Sequence, residues 1–334
     1  MTESTTMASP QLLAGGDPQF LTKAYYRLKP FIPASLRWAA RRHRARRQIK
    51  SCQDTWPINE AAAAPPEDWD GWPDGKRFGL VITHDVESSE GVRKVRPLAK
   101  MVRAHGFRSS FNFIPENVYP DPVDLRRWLQ HIGFEVGVHD LKHDGRLYNS
   151  RNGFRRKAKR INNYLEDWGA VGFRSGFMVR CLDWLHDLDL SYDTSTFDTD
   201  PFEPVPSGSR TIFPFMVKAD GDGPDSGYVE LPYTLPQDST LFLLLGEQTI
   251  DIWKRKVDWI AMHGGLALVN IHPDFIDFSG KRDVGSSYAS RLVSEFLDYL
   301  NTRYSGQYWN PVPREMAAWF KQGRNLDAGS PGTS

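Results

Sequence analysis

The feature that most limits what this chain can fold into is a rhythm that starts at Arg77. A β-rich run, RFGLVITHD, is followed by a segment of helical period, VRKVRPLAKMVRAHG, and the pairing then recurs down the chain. FRSSFNFIP precedes DPVDLRRWLQHIG, EVGVHD precedes RNGFRRKAKRINNYLEDWG, and AVGFRSG precedes MVRCLDWLHDLDL. SYDTSTF leads into a long Pro/Gly-rich loop, and YVELPYTL precedes EQTIDIWKRKVDWIAMHG. LALVNIH with SSYASRLVSEFLDYLNTRY, then a short last pair, YWNPV with PREMAAWF, complete the series. Repeated strand–helix units demand a mostly parallel sheet covered by helices. Seven or eight of them favour a closed or nearly closed barrel, so the expected class is α/β, a (β/α)7-8 barrel spanning residues 77–322. An open doubly wound sheet is the alternative, but no glycine-rich phosphate turn follows the first strand.

Upstream the chain changes character. Residues 1–19 are small and polar and are expected to be disordered, as is the tail, 323–334. The net charge is +1, yet the stretch from Pro18 to Gln53 holds ten lysines and arginines and no acid, which leaves the remainder at −9. This arm, residues 20–58, reads from about Ser35 as a basic amphipathic helix. Such a helix can lie on anionic lipid, bind a partner or cover an acidic patch of its own domain. Nucleic acid is not an expected partner, since no nucleic-acid-binding motif accompanies the basic run. Residues 59–76, with EAAAAPPEDWDGWPDGK, read as a linker. No apolar run reaches the ~18 residues of a membrane span, and the start of the chain lacks the basic and apolar parts of a secretory signal. The expected location is cytoplasmic, peripheral to the inner membrane face if the arm rests there. Cys52 and Cys181 form no framework and read as reduced.

Chemistry in barrels of this kind is built at the C-terminal ends of the strands. The first strand ends THDVE, with Asp85 and Glu87, and the third ends at His139, with His143 four residues on. The fourth ends FRSGF, with Arg174; the fifth carries Asp193 in YDTSTFD; the seventh ends NIHPD, with His272. Alone, HDLKH favours two surface histidines over two ligands, because a pair without a third donor makes no site. With a carboxylate from the first strand it becomes a two-histidine, one-carboxylate set suited to metal-assisted hydrolysis. A second carboxylate can then act as base, a histidine opposite can protonate a departing nitrogen, and Arg174 can keep the base ionised. Strand alternation turns His84 to the other face. The long loop YDTSTFDTDPFEPVPSGSR is more than a connector by length and is expected to form one wall of the site.

In this order and at these strand positions, the residues resemble the polysaccharide deacetylase family (carbohydrate esterase family 4, the NodB-homology domain). THDV stands where the family has T-F-D-D, HDLKH where it has H-S-x-x-H, and FRSGF where it has R-x-P-Y or R-x-P-F. YDTS matches the aspartate-bearing strand and LVNIH the late L-x-H, so the likeness runs from about Arg77 to Ser305. It implies a distorted barrel with a divalent metal, usually Zn2+, that removes acetyl groups from N-acetylated sugars or cleaves related carbon–nitrogen bonds. It makes Asp85 the base, His139 and His143 metal ligands, Arg174 the partner of the base and His272 the general acid. Asp193 would support His272, with Asp198 and Asp200 as competitors, and the backbone near Phe177 would help hold the oxyanion.

Two positions depart from the family pattern. Its second aspartate is Val86 here, and Glu87, two residues past Asp85 on the same face, would replace it as ligand. Gly176 stands in place of the family's proline and would loosen the turn that presents Phe177. The expected function is removal of an acetyl group from an N-acetylated sugar of a bacterial-type surface glycan, or from its lipid-linked or nucleotide-linked precursor. Two other readings stay open: a metal-free glycan-binding or scaffold domain, since Val86 removes a ligand, and an amidase acting on a small non-sugar substrate.

Overall fold

A nine-residue strand, β1 (Phe78–Val86), organises the molecule, and every residue of it is buried. The computed structural model describes residues 34–67, 69–203, 208–219, 226–280 and 286–327. The disorder expected for 1–19, the start of the arm and the last part of the tail lie outside these residues. Helix α1 (Ala34–Ser51) comes first, and after β1 the chain runs α2 (Ser89–Ala104), β2 (Ser110–Phe113), α3 (Val123–His131) and β3 (Glu135–His139). Then follow α4 (Arg151–Trp168), β4 (Gly172–Arg174), β5 (Tyr192–Asp193), β6 (Phe215–Val217) and β7 (Tyr228–Glu230). A π-helical segment (Ser239–Leu245), α5 (Asp251–His263), β8 (Leu266–Asn270), β9 (Ile276–Asp277) and β10 (Tyr288–Ala289) lead to α6 (Arg291–Tyr304), β11 (Tyr308–Trp309) and α7 (Pro313–Asp327). No described helix is long and apolar enough to cross a membrane.

Among the described residues, nine strands form one curled sheet in the order β11-β1-β2-β3-β4-β5-β7-β6, with β8 on the other edge of β1. All pairings in it are parallel except β6 with β7. Past β7 the chain stays extended and ties the two ends of the curl together. Tyr233 N donates to Thr196 O at 2.9 Å, while Thr234 N and Leu235 N donate to Leu268 O on β8 at 3.0 Å. The result is the distorted (β/α) barrel that the strand–helix rhythm implied. Strand alternation sorts β1 into two faces. Val81 joins the apolar lining of the barrel interior with Val229, Leu231 and Leu268, whereas Leu80, Ile82 and Val86 pack outward against the helices.

Three segments differ from the sequence reading. The helix expected over MVRCLDWLHDLDL shrinks to a 3-10 turn, Leu182–Asp187, and Met178, its expected first residue, holds a positive φ that no helix accommodates. Helix α7 continues to Asp327, into the expected tail. The supposed linker is part of the barrel floor: the Trp72 indole donates to Gly264 O at 2.7 Å and stacks on Trp319. Only glycine fits at position 79 beneath it, since a Cβ would come within 2.7 Å of the Trp72 ring. The arm helix is docked as well. Ala45 is buried, Ile49 and Cys52 pack on the core, and Arg42 Nε donates to Leu243 O at 3.4 Å. Gln48 donates to Pro201 O, and Trp56 meets Phe202 edge-on at 5.3 Å. Its opposite face, with Arg44, Arg46, Arg47 and Lys50, is exposed.

Candidate active site

Parallel strands in register put their final residues side by side, and here those residues are polar. Asp85 pairs with Asn112 across β1 and β2, Thr83 with Asn270 across β1 and β8, and His139 with Arg174 across β3 and β4. Asp85 is 2% exposed, and three groups hold its carboxylate. Asn112 Nδ2 donates to Oδ1 at 2.9 Å, and Asn270 Nδ2 and an Arg174 NH donate to Oδ2 at 2.8 and 3.3 Å. Burial pulls the Asp85 pKa upward, but the Arg174 guanidinium, then His139 and His272, outweigh it and bring the value down to about 2. Arg174 is fully buried, its other nitrogens donating to Thr194 and Thr83 hydroxyls at 2.9 and 3.1 Å. Asp85 is therefore a fixed anion whose orientation is set from three sides.

Beside it, Glu87, His139 and His143 bring a carboxylate oxygen and two ring nitrogens within 4.8 Å of one another. Glu87 Oε1 lies 3.4 Å from His139 Nε2 and 3.2 Å from His143 Nε2. Burial would raise the Glu87 pKa, yet its contacts with these two imidazoles hold it well below the usual carboxylate range. His139 Nδ1 meets the Arg174 carbonyl at 3.1 Å, which leaves Nε2 as the nitrogen turned toward Glu87. Among the described residues, His143 Nε2 is buried and, apart from its ionic approach to Glu87, has no hydrogen-bond partner. A buried nitrogen without a partner, next to a second imidazole and a carboxylate, is what a divalent cation would satisfy, and two nitrogens with one oxygen suit zinc. The residues present fit such an ion. The backbone of Glu87 is pinned too, its N–H donating to Asp274 Oδ2 at 3.1 Å.

His143 owes its place to tight turns, with φ of +50° at His143 and +55° at Asp140. Gly176 faces both of them. A Cβ there would stand 2.4 Å from Asp140 Oδ2 and 2.9 Å from His143 Cδ2. The glycine does not loosen the turn, as the missing proline suggested, but allows close approach. Phe177 follows at a positive φ of 56°, stacks on the His143 ring at 4.2 Å and is 47% exposed.

His272 completes the rim from β8. Its Nδ1 lies 2.6 Å from Asp238 Oδ1, and its backbone N–H and the Tyr288 hydroxyl donate to Asp238 Oδ2 at 2.8 and 2.7 Å. Burial favours the neutral ring, but Asp238 and then Glu87 and Asp85 raise the pKa from 6.5 to about 10. The structure does not bring Asp193 to this histidine. Asp193 accepts from Ser195 N and Oγ at 2.9 and 2.7 Å, and its burial pushes its carboxyl up. Of its competitors, Asp198 pairs with Lys256 and Asp200 accepts from Tyr233. His84 points outward, between Ile271 O and Ser109 Oγ at 3.1 Å each.

Asp85, Glu87, His139 and His272 open on one cavity of about 640 Å³, whose walls include Phe177, Phe202, Glu203, Gln237, Leu243 and Leu244. Phe202 and Glu203 come from the long loop after β5, which thus walls the cavity. Sequence reasoning missed Asn112, Asn270 and Asp238. The two amides stand at strand ends where only charged or imidazole residues were counted; Asp238 lies in the loop after β7 and carries no strand-end signal.

No protein-family model matches the sequence, and no curated protein matches it. Among solved structures, a Mycobacterium smegmatis protein described as a polysaccharide deacetylase is similar at 18% identity and a TM-score of 0.55, over 79% of this chain and 95% of that one. Puue allantoinase is similar at 16% identity and a TM-score of 0.59, over 81% of this chain and 96% of that one. At such identities the likeness is one of fold. The rim motifs and the solved structures name the same group, and this chain has the polysaccharide deacetylase fold.

Proposed function

We propose that this chain is a metal-dependent hydrolase that removes the acetyl group from an N-acetylated sugar of a surface glycan or its precursor. The observation that carries the reading is the convergence of Glu87, His139 and His143 beside a buried, ionised Asp85 on the rim of the barrel. Glu87, His139 and His143 would hold the cation, most simply Zn2+. When bound, such an ion supplies Lewis acidity toward an amide carbonyl and makes water more acidic. Asp85 accepts the proton from the attacking water, and Arg174 with Asn112 and Asn270 keeps its carboxylate aimed and charged. His272, held protonated by Asp238, donates a proton to the departing nitrogen. Phe177 closes the cavity over His143 and brings its backbone to the oxyanion side. The exposed basic face of α1 supports contact with anionic lipid, which would suit a lipid-linked precursor.

The test is acetate release from N-acetylated oligosaccharides and from lipid-linked and nucleotide-linked sugars, before and after treatment with a chelator. Release that chelation abolishes and zinc restores is the expected result. Release indifferent to chelation, or a protein that takes up no divalent ion, would defeat the reading; a metal-free protein that still binds glycan would instead be a scaffold. The allantoinase match supports one second reading, hydrolysis of an amide in a small non-sugar molecule. Zinc-dependent turnover of small amides with none of acetylated sugars would select it.

A further inference from the structure

The hydrolysis just described leaves one polar wall of the cavity without a role. Glu203 and Gln237 both line the cavity. Gln237 is 8% exposed and held from behind by Asn270 Nδ2, which donates to its Oε1 at 3.2 Å. Its own Nε2 donates to Glu203 Oε1. The hydroxyl of Tyr233, a fully buried ring, lies 2.8 Å from that same Oε1 and 2.9 Å from Asp200 Oδ2. A phenol has one proton to offer two carboxyl groups, so a second proton resides on the pair and the group as a whole carries one negative charge. Burial, then the charge of Glu203, raises the Asp200 pKa to about 8, and burial raises that of Glu203 too, so the two carboxyl groups hold one proton between them.

Both hydrogen bonds to Glu203 fall on Oε1, and none among the described residues reaches Oε2. The side chain is thus anchored through one oxygen while the other remains an acceptor at the cavity wall. Apolar surface flanks it: Phe202 on the same loop, braced by Trp56, with Leu243 and Leu244 also on the wall. An apolar face beside one oriented carboxylate suits a sugar ring, whose C–H face packs while a hydroxyl or ammonium donates. No lysine or arginine is among the described lining residues.

We propose that Glu203 is a specificity-determining residue that accepts a hydrogen bond from a hydroxyl or ammonium group on the sugar unit next to the one that loses acetate. This rests on the deacetylase reading for its substrate, but binding tests it separately. The zinc-loaded full chain, as wild type, Glu203→Gln and Glu203→Ala, is titrated by calorimetry with glucosamine oligomers (amine and hydroxyl donors) and glucose oligomers (hydroxyl donors only). In parallel, KM and kcat are measured on N-acetylglucosamine oligomers, and melting curves confirm folding. Loss of one charge-assisted hydrogen bond predicts binding weaker by about tenfold or more in both variants, with KM rising similarly and kcat changing far less. Weakening confined to the glucosamine series identifies ammonium as the donor, and weakening of both series identifies hydroxyl. Unchanged affinity in the variants, no binding of either series by wild type, or loss of kcat with KM unaltered would each overturn the assignment. Glu203-dependent binding without acetate release would remove the deacetylase reading and leave Glu203 as a sugar-binding residue of the cavity.

Discussion

Replacing Asp238 by asparagine tests how the charge on His272 is maintained. Burial disfavours the imidazolium, and Asp238 at 2.6 Å, with Glu87 and Asp85 behind it, reverses that and takes the pKa from 6.5 to about 10. At ~1.4 kcal/mol per tenfold, this is a preference on the order of 5 kcal/mol for the charged ring. The figure is an upper bound, because a cation held by Glu87 would cancel that residue's share. Since the folded pKa lies above the unfolded one, the stabilisation is complete below 6.5 and disappears as pH rises through about 10. Asp238→Asn keeps the shape and an acceptor for Nδ1–H, but removes the charge. The pKa should then fall by about two or more, toward or below its ordinary value, because burial is left with weaker opposition. Imidazole NMR titration, with the resonance assigned by His272→Gln, reads this without any substrate. If acetate release is followed as well, the alkaline limb of kcat/KM should move down by the same amount, because the ring must be protonated to serve the leaving nitrogen. A titration within about half a unit of wild type would refute the argument, for it would mean that Asp238 orients the ring without setting its charge.

Three other perturbations follow from the same geometry. Gly176→Ala would place a methyl group 2.4 Å from Asp140 Oδ2 and 2.9 Å from His143 Cδ2, so His143 must shift; zinc affinity by competitive chelator titration should drop about tenfold or more, and an unchanged affinity would show that the ring has room. Glu87→Asp withdraws the carboxylate by one methylene from two imidazoles that it now meets at 3.2 and 3.4 Å. Its metal content should fall well below that of the wild type, whereas full retention would mean that another carboxylate completes the set. Trp56→Ala removes a ring that is 4% exposed and packs edge-on against Phe202. It should cost about 3–5 kcal/mol in denaturant unfolding, and a loss under ~1 kcal/mol would show that the arm unfolds separately from the barrel.

What could be read from the sequence is what local periodicity controls. The strand–helix alternation gave the barrel, and period-two alternation along THDVE put Asp85 and Glu87 inward and His84 outward, as found. Residues brought in by register or by long loops were not legible. Asn112 becomes a ligand of Asp85 only because β2 pairs with β1 in one particular register, and nothing in FNF announces it. Asp238 reaches His272 across 34 residues of sequence, while Asp193, the nearer guess by motif, stays with Ser195 two residues away. The floor was hidden in a Pro/Gly/Asp-rich stretch that reads as a linker, yet Trp72 stacks on Trp319 and Trp69 meets both edge-on.

Val86 shows how the missing ligand and the fold are connected. It occupies the outward face of β1, buried among the core residues, and its carbonyl accepts from the Tyr119 hydroxyl at 2.6 Å. An acid in that position would face apolar side chains rather than the histidines, so on this strand a carboxylate reaches the two imidazoles from the next residue. Glu87 meets that demand because it lies beyond the end of β1, where Asp274 fixes its backbone and a longer side chain can turn back to His139 and His143. Valine at position 86 is therefore compatible with a group of Glu87, His139 and His143 able to hold a cation, and Asp274 ties the turn after β1 to the turn after β8.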